Sequence, residues 1–257
     1  MPHFYTPDGQ LVDGLREARK TNPPALPSPT TVLSMLKSEG LVRYLQRQAW
    51  EAAVTTPRNP GESDDDFYDR CLRWADEHSK IARERGGDFH TLIQRFHMSC
   101  IGEAAPPTCP PQFIEQFDSY MRWYEKWVAK TISVEQVVIG DGYAGRVDHV
   151  AKLRDGRIAV CDVKSQALTK RKSFNHYESH AIQLGAYAAA WQKTSGGWAD
   201  ALVSIYVSSN TPVTLESYVW PGAVGYYSKL FMGLLDVWCF SNNYFPTTTD
   251  RPVEAWK

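Results

Sequence analysis

Apolar positions recur with a helical period through the first half of the chain and with a strand period, or as short solid runs, through much of the second. Ser28-Pro29-Thr30-Thr31 predicts a helix start, with a capping hydroxyl and a proline at the first helical position, and a helix to about 37. Another helix is predicted over 41–54, where Leu41, Tyr44, Leu45, Gln48 and Ala52 mark one face. A polar connector, 57–66, ends in acids that suit a helix N-terminus. Beyond it Phe67, Cys71, Trp74, Ala75, His78 and Ala82 fall at helical spacing, Gly86-Gly87 is expected to interrupt or end the helix, and Phe89, Leu92, Ile93 and Phe96 resume it. His90, Gln94 and His97 lie on a neighbouring stripe. The proline-rich stretch 100–111 predicts a loop, and 112–130 an amphipathic helix whose aromatic stripe (Phe113, Phe117, Tyr120, Tyr124, Trp127) reads as core.

The second half reads as a strand over 132–139, strands over 145–153 and 157–164, a buried helix over 181–193, strands over 201–208 and 213–219, and a closing helix over 222–240. The first 27 residues, polar and ending in Pro23-Pro24-Ala25-Leu26-Pro27, predict an extended arm. The expectation is one α/β domain over 28–257, a mixed sheet flanked by helices, with a helical N-terminal elaboration over 28–130 and the core over 131–257.

The central pair of strands is where chemistry enters. Asp155-Gly156 between two apolar runs is a strong hairpin signal. A two-residue loop would put Asp148 and Asp162 on opposite sides of the sheet. A three-residue loop, Arg154-Asp155-Gly156, with Gly156 left-handed in a bulge, sets them directly opposite each other and places Lys164 on the same face. The second register is adopted. Two adjacent carboxylates repel unless a cation or a proton is shared between them. Oxygen ligands at that density suit a hard ion such as Mg²⁺ or Mn²⁺, beside which a lysine can orient a water or neutralise a phosphate. A lone Asp-x-Lys is more often ordinary surface charge, but Val147, Val150, Ile158, Val160 and Val163 mark a sheet interior.

Gly145-Arg146-Val147-Asp148, then Asp162-Val163-Lys164, then Gln183-Leu184-Gly185-Ala186-Tyr187 resembles the core of the PD-(D/E)XK nuclease superfamily, within it the RecB-like exonucleases, including the mitochondrial genome maintenance exonuclease and phage relatives. Pro27-Ser28 with Thr30-Thr31-Val32-Leu33 extends the likeness upstream, over roughly 26–220. The resemblance implies a restriction-endonuclease-like fold and a metal-dependent DNA exonuclease acting on single-stranded or end-containing DNA in replication, recombination or repair. It implies Asp148, Asp162, Lys164, Gln183 and Tyr187 as catalytic residues, with metal held by His90, Asp148, Asp162 and the Val163 backbone carbonyl. His90 enters because Gly86-Gly87-Asp88-Phe89-His90 is similar to the family's glycine followed by a ligating histidine on a helix. Glu135 is implied to contact metal or water. An endonuclease of the same superfamily, or a silent nucleic-acid-binding module that keeps the fold, stands as the alternative.

With 257 residues, 43% of them hydrophobic, there is enough chain for one sizeable core. Its net charge of −1 carries no general nucleic-acid signature, yet Lys170, Arg171 and Lys172 make a local basic loop expected to hold phosphates. Five cysteines include no Cys-x-x-Cys pair, so no zinc site or disulfide framework is indicated. Only Cys239 follows the core, so the iron-sulfur cluster of some RecB-like nucleases is not expected. No run of 18 apolar residues and no signal-peptide pattern is present, predicting a soluble intracellular protein with no membrane partner. A monomer that threads a single strand is favoured by the resemblance.

Overall fold

The computed structural model describes residues 2–36, 39–168, 173–210 and 212–246. It divides into two compact units, one of residues up to 35 with those from 92 onward, the other of 36–91.

The N-terminal residues form no extended arm. Strands β1 (His3–Tyr5), β2 (Leu11–Asp13) and β3 (Leu26–Pro27), with helix α1 (Leu15–Ala18) between the last two, make a small antiparallel sheet in the order β2-β1-β3. Thr6-Pro7-Asp8-Gly9 supplies the turn, with Gly9 at φ 85 and the Gln10 amide donating to Thr6 Oγ1 at 2.9 Å. Phe4 is fully buried, its ring 6.0 Å from that of Trp238 and 5.8 Å from that of Tyr244. Strands this short carry no readable period, and the partners of Phe4 lie near the other end of the chain. Helix α2 (Pro29–Leu33) follows as expected, with Ser28 Oγ accepting from the Thr31 amide at 3.1 Å.

In the smaller unit, α3 (Glu39–Thr55) packs through Ala52 on Cys71 and Ala75 of α4 (Asp64–Cys100). The start of α4 is capped by Ser63, whose hydroxyl accepts from the Asp66 amide at 3.1 Å. Arg70 braces the preceding connector by a two-pronged pair with Glu62, at 2.8 and 2.7 Å. The expected inner face of α3 is only partly so, since Tyr44 and Leu45 are exposed. Nor does Gly86-Gly87 break α4. Each glycine disfavours helix by about 1 kcal/mol relative to alanine, and the burial of Phe89, Leu92 and Ile93 just beyond outweighs it.

In the larger unit, a short 3₁₀ turn at Pro111–Phe113 leads into α5 (Ile114–Trp127), which passes directly into β4 (Val128–Ile139). Then come β5 (Ala144–Leu153), β6 (Ile158–Gln166), α6 (Glu178–Ser195), β7 (Ala201–Ser208), β8 (Leu215–Val219) and α7 (Val224–Asn242). The sheet order is β4-β5-β6-β7-β8, antiparallel throughout except β6 and β7, which run parallel because α6 crosses over between them. One face, carrying Val150, Val160 and Leu202, packs on α6. The other carries His149, whose ring stacks 4.1 Å from His97 at the end of α4, and His97 in turn bonds Tyr120 of α5. The aromatic stripe of α5 is core there: the Phe96 ring lies 6.3 Å from Tyr120 and 4.9 Å from Tyr124, whereas Trp127 is exposed. Helix α7 lies close on α6, where a Cβ on Gly185 would come within 2.5 Å of Tyr227 Cβ and 2.8 Å of the Ser228 nitrogen.

Candidate active site

The hairpin of β5 and β6 has the three-residue loop. Leu153 and Arg157 close it, with the Leu153 amide donating to the Arg157 carbonyl at 2.8 Å and the Gly156 amide to the Leu153 carbonyl at 3.0 Å. Gly156 sits at φ 96, a backbone region that glycine enters without steric penalty. The ladder pairs Lys152 with Ile158 and His149 with Cys161, so continuing it sets Asp148 opposite Asp162. There the strands part, and Asp148 Oδ2 accepts from the Val163 amide at 3.2 Å. On the next strand out, Glu135 holds φ 47 between the pairs Val134–His149 and Gln136–Val147, and its carboxylate meets the Arg146 guanidinium at 2.8 Å. A non-glycine residue held in that region, across from Asp148, stores backbone strain beside the acids.

Alternation along β6 turns Asp162 and Lys164 to the α6 face. The Lys164 ammonium donates to Asp162 Oδ1 at 2.9 Å and to Gln183 Oε1 at 3.2 Å, and lies 2.8 Å from Asp162 Oδ2 as an ion pair. Gln183 and Tyr187, one turn apart on α6, are both buried, with Gln183 Nε2 3.5 Å from the Tyr187 hydroxyl. The glycine of the Gly-Arg-Val-Asp run has a steric reason, since a Cβ on Gly145 would come within 2.7 Å of Tyr187 Cε1 and 2.9 Å of Pro29 Cδ. The N-terminal Ser-Pro helix start and the α6 tyrosine thus meet on β5.

Charge follows this geometry. Burial opposes the Lys164 charge, but Asp162, Asp148 and the hydrogen bond to Asp162 outweigh it, and the ammonium is held above the ordinary lysine range. Burial, then the nearby Asp148, pushes the Tyr187 phenol up, so it stays protonated. Two further groups border the site that the sequence reading passed over. His180, three residues before Gln183 on the same stripe, has Nδ1 2.9 Å from the Tyr206 hydroxyl, and Tyr206 pairs in register with Lys164. Burial, then the charge of Lys164, lowers the His180 imidazole to about 4. The spacing of His180 from Gln183 was a usable signal; Tyr206 gave none, because its place depends on the β6–β7 register.

His90 belongs to the 36–91 unit, and Lys170, Arg171 and Lys172 lie outside the described residues. Among the described residues no three His, Cys, Asp or Glu side chains gather as a metal site. Two carboxylates facing each other across the hairpin are nonetheless the donor type that suits a Mg²⁺-like ion, which is commonly held by one or two carboxylates and completed by water and substrate phosphate. Among the described residues no helix is long and apolar enough to cross a membrane.

An acid pair with an adjoining lysine on an Asp-x-Lys strand of a mixed sheet is an arrangement suited to metal-assisted hydrolysis of a phosphodiester. Comparison of the sequence with known families agrees: the PD-(D/E)XK nuclease superfamily matches residues 67–220. The chain belongs to that superfamily and has its restriction-endonuclease-like fold. The family is one of hydrolytic nucleases, implies DNA as substrate and generally uses divalent metal ions. No curated protein matches the sequence. Among solved structures, a protein from Eubacterium rectale, provisionally named an exonuclease, is similar at 11% identity and a TM-score of 0.37, over 57% of this chain and 63% of that one. SSO0001 is similar at 11% identity and a TM-score of 0.29, over 84% of this chain and 97% of that one. Scores this low carry no argument here.

Proposed function

We propose that this chain is a Mg²⁺- or Mn²⁺-dependent DNA exonuclease, acting on single-stranded or end-containing DNA in replication, recombination or repair. The observation that carries the reading is the Lys164 ammonium held between the Asp162 carboxylate and the Gln183 carboxamide, with Asp148 across the hairpin. Asp148, Asp162 and the Val163 carbonyl, with His90 as a further candidate, would hold the ion. When bound, such an ion polarises a phosphate oxygen and lowers the pKa of a water. The protein's own part is positional and electrostatic. Lys164, charged and anchored on one side by Asp162, offers its remaining N–H to a phosphate oxygen or the attacking water, where negative charge grows in the transition state. Gln183 accepts from Lys164 and so limits where that N–H points, while Tyr187 backs the glutamine. Lys170, Arg171 and Lys172 are assigned to the DNA backbone, as a basic loop beside the Asp-x-Lys strand would be.

The test is degradation of end-labelled linear DNA beside covalently closed circular DNA, with chelator or with Mg²⁺ or Mn²⁺. The reading expects metal-dependent loss of linear DNA only, abolished in Asp148→Asn. Cleavage of closed circles favours an endonuclease; binding with no cleavage under any divalent ion favours the silent module. Undiminished cleavage in chelator removes the metal assignment.

A further inference from the structure

Helix α7 buries Phe231, Leu235, Trp238 and Cys239 against its own chain. Its opposite side is apolar as well: Tyr226, Leu230, Val237 and Phe240 are 58, 40, 52 and 80% exposed. With Gly233 in the middle, these residues follow one another at steps of four, three, four and three. That is the heptad spacing of a coiled-coil seam, and single surface hydrophobics scattered at random would not produce it.

We propose that α7 is a self-association surface, pairing antiparallel with α7 of a second copy of this chain about a two-fold axis through Gly233. Three features commit the seam to that occupant. The first is its near-palindrome: aromatic, aliphatic, glycine, aliphatic, aromatic. Antiparallel pairing sets Gly233 on Gly233 and Tyr226 on Phe240, and brings Leu230 within one residue of Val237, the self-complementarity a two-fold interface demands. The second is charge. Lys229 and Asp236 occupy equivalent heptad positions beside the seam, which face one another in antiparallel pairs, so Lys229 of each copy meets Asp236 of the other. In a parallel pair each would instead face its partner's Tyr227 or Leu234 side. The third is Gly233 itself. Glycine weakens a helix relative to alanine, yet among the described residues a Cβ there would meet nothing within 4 Å. A second backbone crossing closely at that point supplies the reason the chain itself lacks.

The seam is short. A 19-residue helix is about 28 Å long, so a strip about 10 Å wide covers roughly 300 Å² per copy, well under the ~800 Å² of a standard interface. An interface of that size is of the weak, transient kind, and the single chain favoured by the family resemblance gives way to a concentration-dependent dimer. The seam points away from α6 and leaves the acid pair uncovered.

Sedimentation velocity on the full chain from about 1 to 300 µM tests this. The wild type should pass from monomer to dimer across that range, and Val237→Asp with Phe240→Asp should stay monomeric. Lys229→Asp and Asp236→Lys, each alone, should weaken association by about tenfold, while the two together restore it. All four positions are exposed, so unchanged melting of the dilute variants shows that the fold survives. A chain monomeric at every concentration overturns the proposal. So does a dimer that ignores the charge swaps, since it would use another surface.

Discussion

Replacing Lys164 by Met removes the charge and keeps most of the stem, and its effect should depend on metal. The wild-type ammonium lies 2.8 Å from an Asp162 carboxylate that is 4% exposed, while the lysine itself is 25% exposed. Removing one partner of a buried ion pair costs about 3–5 kcal/mol because the other charge is left without compensation. Solvent at the lysine head reduces this toward the lower end. Proton uptake also caps it, since protonating a carboxyl from the ordinary aspartate range at pH 7 costs about 4 kcal/mol. Roughly 3 kcal/mol in chelator, or about 6–12 °C in Tm for a domain of this size, is therefore expected. In Mg²⁺ or Mn²⁺ the ion replaces the lost charge, so the variant should gain more Tm from metal than the wild type, in which Lys164 already occupies one side of Asp162. Single-turnover cleavage should nonetheless stay about a hundred- to ten-thousand-fold down, the usual range for a lost proton-handling or charge-stabilising group. Differential scanning fluorimetry with chelator and with metal, beside a quench assay, reads all three quantities. A variant with wild-type Tm in chelator, or the same metal-induced rise as the wild type, refutes the Lys164–Asp162 coupling; near-normal cleavage refutes the catalytic assignment.

Three other expectations can be checked on the purified protein. Gly145→Ala should lower stability by about 1–3 kcal/mol and slow cleavage, because its Cβ would press on the buried Tyr187 ring at 2.7 Å and on Pro29 at 2.9 Å; unchanged Tm and rate would contradict that packing. Phe4→Ala should cost about 3–5 kcal/mol in urea unfolding, whereas a free arm would show no change beyond about 0.5 kcal/mol. Burial lowers His97 to about 3, and burial, then Lys164, lowers His180 to about 4, both from 6.5. Each imidazole is neutral when folded and takes a proton when unfolded, so its contribution is whole above pH 6.5 and falls by about 1 kcal/mol per unit as pH drops from there toward those values. Urea melts between pH 7 and 5 should show this loss, and His97→Asn should remove its share; an unaltered slope in that variant would refute the assignment.

The centre of the site was readable because it is local. Asp155-Gly156, the alternation on either side and the bulge fix which face Asp148, Asp162 and Lys164 share, and Gln183 and Tyr187 are joined by helical spacing alone. What escaped is long-range. The stack of His149 on His97, and the bonds of His97 to Tyr120 at 2.6 Å and Thr131 at 3.0 Å, join four elements across the reverse face of the sheet, and no periodic signal links them. Tyr206 reaches Lys164 only through a parallel register, and Phe4 finds its pocket only once α7 is in place. At Gly86-Gly87 local propensity pointed to a break that tertiary burial overrode. The ligand role of His90 and the phosphate role of Lys170, Arg171 and Lys172 remain proposals for binding measurements to decide.

The parallel pairing of β6 with β7 has a consequence during synthesis. The ribosome releases the acidic hairpin first, but Gln183 and Tyr206 come from segments that follow, and β7 must find its place beyond a helix before Asp162 is enclosed. Such crossover pairings close late, because the loop entropy must be met before any contact rewards it. A nascent or prematurely terminated chain therefore carries the acids and the lysine without the walls that align them. The cluster of Asp162, Lys164 and Gln183 is therefore complete only when the fold is finished.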